Sequence, residues 1–141
     1  MILLDTSGVI AAYNQRDAEH AAARDVLTGT TEPMVISPLV LAEVDYLAAK
    51  YLGPSASVVV LSELEQLATV ASFTNEDLRA ATRLVSQYLD LNIGLTDAVN
   101  VVLAGRYKTT SLLSLDGHYR AIKPTHGDHF TLLPAGTTTG H

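Results

Sequence analysis

The chain has 141 residues, 15 Asp and Glu against 9 Lys and Arg, a formal net charge of −6, and a hydrophobic fraction of 48%. That length suits one domain with a core of its own, and the hydrophobic content excludes a disordered chain. The acidity excludes a polycation that coats nucleic acid by charge alone, and the absence of cysteine excludes disulfides and thiolate metal sites.

In chain order, Ile2-Leu3-Leu4 is a short apolar run followed at once by Asp5-Thr6-Ser7-Gly8. It reads as a buried strand entering a helix, with Ser7 as its N-cap. Residues 18–27 read as a helix, residues 29–33 as a turn and residues 34–36 as a second buried strand. Ser37-Pro38 has the form of an N-cap followed by proline at the first helical position, opening a helix to about residue 52. Gly53-Pro54 ends it, and a further helix runs towards residue 67. Residues 70–73 read as a third strand. Thr74, with Asp77 three residues on, opens a helix to about residue 90. Thr96 is expected to cap a helix over 97–106, residues 110–115 form a fourth strand, and residues 130–133 a fifth.

Strands alternating with helices imply right-handed crossovers and a parallel sheet covered on both faces. The expected fold is a three-layer α/β/α domain over residues 1–134 with a central four- or five-stranded parallel sheet, followed by a flexible tail at 135–141. The N-terminal apolar run has no basic residue before it and stops at Asp5, unlike a signal peptide. No stretch reaches the roughly 18 apolar residues that span a bilayer. A cytoplasmic protein without a membrane role is expected.

In such sheets ligands bind beyond the carboxyl ends of the strands. Four acids from distant stretches fall on that edge: Asp5, Glu43, Asp97 and Asp116. Each also has an ordinary structural role open to it. Asp5 and Asp97 suit helix N-termini, and Asp116 before Gly117 suits a turn. Glu43 stands among Leu39, Val40, Leu41, Ala42 and Val44, where a carboxylate needs a partner, a cation or solvent. Together the four would repel one another unless their pKa values rise or a divalent cation binds. All-oxygen ligands favour Mg²⁺ or Mn²⁺ over Zn²⁺, and such sites serve phosphodiester hydrolysis.

The segments Leu3-Leu4-Asp5-Thr6-Ser7, Ala42-Glu43, Gly94-Leu95-Thr96-Asp97-Ala98 and Leu113-Ser114-Leu115-Asp116 resemble, in order and spacing, the four acidic motifs of the PIN-domain family. Within it the chain looks most like the VapC ribonuclease toxins of bacterial toxin–antitoxin pairs. The resemblance implies a metal-dependent endoribonuclease acting on structured RNA, ribosomal or transfer RNA, by metal-activated water. Asp5, Asp97 and Asp116 would hold one or two Mg²⁺ or Mn²⁺ ions, with Glu43 a direct or water-mediated ligand. Thr6, Ser7 and Thr96 would orient carboxylates or water, a role compatible with helix capping. The resemblance further implies a homodimer silenced by a VapB-type antitoxin, whose arginine could enter the acidic site. The helices over 38–52 and 55–67 are candidate contact surfaces, or else ordinary core.

Charge is uneven. Residues 1–99 carry 13 acids and 5 bases, and residues 100–141 carry 2 acids and 4 bases. Those bases, Arg106, Lys108, Arg120 and Lys123, flank Asp116 in sequence and are candidates for phosphate contact, or else a solvated surface. Tyr119 could stack on a base or simply pack. His118, His126 and His129 match no zinc spacing. Two other readings stay open: an inert PIN scaffold that binds a protein partner, and an aspartyl-phosphate phosphatase. The latter needs a second Asp two residues after Asp5, where this chain has Ser7.

Overall fold

The computed structural model describes residues 1–135. Its strands are β1 (Ile2–Leu4), β2 (Met34–Ile36), β3 (Thr69–Val70), β4 (Ser111–Leu113) and β5 (Thr131–Leu133). They form a single five-stranded sheet in the order β3-β2-β1-β4-β5, parallel throughout. Its helices are α1 (Thr6–Tyr13), α2 (His20–Gly29), α3 (Pro38–Leu52), α4 (Pro54–Leu67), α5 (Asn75–Gln87) and α6 (Leu95–Tyr107).

Alternation along the strands builds two cores. Ile2, Leu4, Ile36 and Leu113 face one way, onto Val9, Leu27, Val40, Val44 and Leu64 of α1 to α4. Leu3, Val35 and Leu112 face the other way, onto Ala81, Ala98, Val101 and Leu103 of α5 and α6. A sheet buried on both faces needs continuous apolar strands, which is why these segments show no polar alternation. The result is the three-layer α/β/α arrangement expected from the sequence.

Local signals explain two helix starts. Ser37 accepts a hydrogen bond from the Leu39 N–H at 3.1 Å ahead of Pro38. Thr74 and Asp77 form a reciprocal capping box. Other boundaries differ from expectation. Asp5, not Ser7, is the N-cap position of α1, because the Ser7 hydroxyl is taken by the Leu115 N–H across the sheet end. Thr96 lies inside α6, whose N-cap position is Gly94, and its hydroxyl is turned to Glu43. The third strand is Thr69–Val70 rather than 70–73, an exposed edge that pairs only with β2. The helix from Thr74 ends at Gln87, and residues 89–91 form a separate 3-10 turn. Apart from Ala135, the tail expected at 135–141 lies outside the described residues.

The chain runs from β1 to β2 and β3 on one side, then crosses to β4 and β5 on the other. The strand order therefore reverses between β1 and β4, where open α/β sheets form their crevice. Gly8 lets α1 approach that crevice closely: a Cβ there would stand 2.4 Å from the Leu113 carbonyl oxygen.

Candidate active site

Asp5 follows β1 directly, and Ser114, Leu115 and Asp116 follow β4. The pairing of Leu4 with Leu113 sets these two strand ends side by side. Asp5 is buried, and four side chains hold its carboxylate. Ser114 Oγ donates to Oδ2 at 2.7 Å and Ser7 Oγ donates to the same oxygen at 3.3 Å. Asn100 Nδ2 and the Tyr119 hydroxyl donate to Oδ1 at 3.1 and 3.2 Å. Tyr119 also donates to Asp97 Oδ1 at 3.4 Å, so one phenol joins two of the acids.

Asp97 lies in the first turn of α6, and its Oδ2 accepts from the Gly94 N–H at 3.3 Å. Asp116 is the N-cap of a 3-10 turn over Gly117–Ala121, and its Oδ1 accepts from the His118 N–H at 2.9 Å. That tight turn brings the His118 ring back over Asp116, with Nδ1 3.2 Å from Oδ1. One ligand atom each from Asp97, Asp116 and His118 lies within 4.8 Å of the others.

Glu43 is exposed on α3 and stands apart from that trio. It is bound through both oxygens, with Thr6 Oγ1 donating to Oε1 at 2.6 Å and Thr96 Oγ1 donating to Oε2 at 2.8 Å. This strap connects α1, α3 and α6 above the strand ends. Thr6, Ser7 and Thr96 are thus all engaged with acids of the site.

The electrostatics show the strain of gathering these charges. Burial pushes the Asp5 carboxyl up to about 7, with the charges of Asp97 and Asp116 adding to it and the Ser114 hydrogen bond opposing it. Asp97 is also raised, first by burial and then by Asp116. Burial, followed by the Asp5 charge, holds the Tyr119 phenol well above the ordinary tyrosine range, so it stays a donor.

The chemistry of the donor set suits a divalent cation. The three ligand atoms of the trio lie within 4.8 Å of one another, near enough for one ion to be shared between them after modest side-chain movement. A cation would also relieve the like-charge repulsion that raises Asp5 and Asp97. Beside them Asn100 Oδ1 is buried without a hydrogen-bond partner among the described residues.

The structure does not bring all the basic residues here. Arg106 lies at the opposite end of α6, nine residues and roughly 13 Å of helix rise from Asp97. Its guanidinium is committed to Asp77 and the Ser72 carbonyl. Lys108 is the C-cap residue of the same helix end. Arg120 and Lys123 are exposed just beyond Asp116. Tyr119 cannot offer its face to a base, because it is fully buried and packs edge-on against Phe130.

Sequence reasoning assigned no role to Asn100, Ser114 or the Tyr119 hydroxyl, and it set His118 aside because its spacing to His126 and His129 matches no zinc pattern. A signal existed for two of them. Asn100 is one turn after Asp97 on an otherwise apolar helix, and Tyr119 is one turn after Asp116.

The PIN domain family model matches residues 2–123, and the chain belongs to that family. Among its relatives is Ribonuclease VapC26 of Mycobacterium tuberculosis, 38% identical over 135 residues, which cover 94% of this chain and 100% of that protein. The fold is shared with Mycobacterium tuberculosis VapC20, described as a sarcin–ricin loop cleaving toxin. That match has a TM-score of 0.77 and 21% identity and covers 83% of this chain and 91% of the other. It is also shared with VapBC2 of Rickettsia felis bound to a promoter DNA fragment, at a TM-score of 0.64 and 19% identity, covering 86% of this chain and 93% of the other.

Proposed function

We propose that this chain is a metal-dependent endoribonuclease, the toxin of a type II toxin–antitoxin pair, acting on structured RNA of the ribosomal or transfer class. The observation that carries this reading is the convergence of Asp5, Asp97 and Asp116 at the switch point of the sheet, in a chain 38% identical to a ribonuclease.

Asp97 and Asp116 would hold Mg²⁺ or Mn²⁺, backed by Asp5, with Glu43 binding directly or through water. When bound, the ion supplies Lewis-acid activation of the attacking water and stabilises the leaving oxygen. The chain's own side chains do the rest. Ser114, Ser7, Asn100 and Tyr119 fix the Asp5 carboxylate in one orientation. Thr6 and Thr96 hold the Glu43 carboxylate by both of its oxygens. Arg120 and Lys123, exposed next along the chain, would contact phosphates.

The partner of this reading is a VapB-type antitoxin, in keeping with the VapBC2 assembly of Rickettsia felis. A guanidinium entering the acidic pocket would neutralise it as a cation does. Tyr46 and Tyr51 of α3 and Val58 and Val59 of α4 expose apolar surface that a homodimer or an antitoxin segment would cover.

The test is cleavage of ribosomal and transfer RNA by purified protein with Mg²⁺ or Mn²⁺. Asp5→Asn and Asp97→Asn are each expected to lower the rate by at least about 100-fold with the fold retained by circular dichroism. Cleavage at the wild-type rate by both variants overturns the assignment.

A further inference from the structure

We infer that His118 is a nitrogen ligand of the divalent-ion site, joining Asp97 and Asp116, and that it tilts the site towards Mn²⁺ over Mg²⁺. This rests on the metal-dependent reading above and adds a residue that the four acidic motifs do not contain.

The argument begins with the turn. Asp116 caps it, Gly117 follows without a side chain, and His118 returns over the acid it follows. The His118 backbone N–H and ring Nδ1 both face Asp116 Oδ1, at 2.9 and 3.2 Å. The ring thus stands where Asp97 and Asp116 converge, within the same 4.8 Å group. His126 and His129 also lie near the C-terminal end of the chain but form no such group among the described residues.

Simple ion pairing with Asp116 would account for one contact. It does not account for the third member, since Asp97 comes from α6 and shares no turn with His118. Asn100, fully buried one turn along α6 from Asp97, donates from Nδ2 to Asp5 and Tyr119, and its Oδ1 has no hydrogen-bond partner among the described residues.

The consequence concerns which ion binds. Mg²⁺ prefers all-oxygen octahedra and gives up water reluctantly. A neutral imidazole nitrogen is a better donor to first-row transition ions than to Mg²⁺. An imidazole added to the carboxylates therefore discriminates between ions that carboxylates alone would treat more alike.

The experiment loads the wild-type protein, His118→Ala and His118→Asp with Mn²⁺ and records pulsed EPR. Affinities for Mn²⁺ and Mg²⁺ are measured by calorimetry. The wild type is expected to show a ¹⁴N coupling to the bound ion, and both variants to lose it. In His118→Ala the Mn²⁺ dissociation constant should rise about tenfold or more, with a smaller change for Mg²⁺. Absence of nitrogen coupling in the wild type, or its persistence in His118→Ala, overturns the inference and leaves the metal-dependent reading standing. Failure of the wild type to bind either ion overturns both. Melting in EDTA checks that the variants fold, and the wild-type spectrum decides the ligand whatever their fate.

Discussion

Asp5 carries a charge that its surroundings oppose. Its carboxyl titrates near 7 in the folded protein against an ordinary value near 3.8. The sign of the resulting pH dependence follows directly. Below about pH 4 the group is protonated in both states and the folded form keeps its full advantage. Between about 4 and 7 the unfolded chain ionises first, so stability falls as pH rises, by up to about 1.4 kcal/mol per pH unit. Asp97, also raised, works in the same direction. Asp77, lowered by its bond to Arg106, loses its contribution only at more acidic pH. Urea unfolding of metal-free protein should therefore show higher stability at pH 5 than at pH 8, and Asp5→Asn should flatten most of that difference. The four acids were visible in the sequence because each sits in a motif of fixed spacing. Ser114, Asn100 and Tyr119 were not. Their roles exist only when β4, α6 and the turn after Asp116 meet at one carboxylate, and no local pattern records that meeting. His118 was set aside on zinc spacing alone, because its approach to Asp97 is made only by the fold.

At the level of elements, the helices with chemical punctuation were the legible ones. Ser37-Pro38 and the Thr74–Asp77 box satisfy orphan N–H groups with side chains a few residues away, so the sequence contains the whole interaction. β3 was misplaced because its two residues are exposed and paired on one side only, leaving no apolar run to mark it. The close contact of α1 with β4 was equally silent, since Gly8 says only that a side chain is absent. Its weight can be measured. A Cβ at Gly8 would meet backbone, the Leu113 carbonyl, which cannot rotate away. Gly8→Ala should cost about 1–3 kcal/mol or more in urea unfolding and lower RNA cleavage by displacing Asp5 from Ser114. Gly29→Ala is the control, because nothing lies within 4 Å of its Cβ position, and it should be neutral or slightly stabilising.

For the molecule as a whole, the net charge of −6 conceals an arrangement. Part of the acidity is gathered at one crevice, where the folded state alone offers a cation several ligands at once. An ion that binds only the folded form stabilises it by about 2.7 kcal/mol at a hundredfold excess over its dissociation constant, a rise in melting temperature of about 10 °C for a chain of this size. Mn²⁺ or Mg²⁺ should produce that shift, EDTA should reverse it, and Asp97→Asn should abolish it in a thermal melt. The three-layer order was legible from the alternation of apolar strands and helices. The strand order, with β1 at the centre, follows from pairings between segments far apart in sequence, which periodicity does not encode. That order has a consequence for synthesis. Ser114 and Asp5 are 109 residues apart in sequence, and β4 joins the sheet through register with β1. A nascent chain that has emerged only through α6 already carries Asp5, Glu43 and Asp97. It still lacks Asp116, the Ser114 hydroxyl that seats Asp5, and the strand that closes the crevice. The pocket therefore comes into being only once β4 and the turn after Asp116 have left the ribosome, and a fragment that ends at α6 is without it.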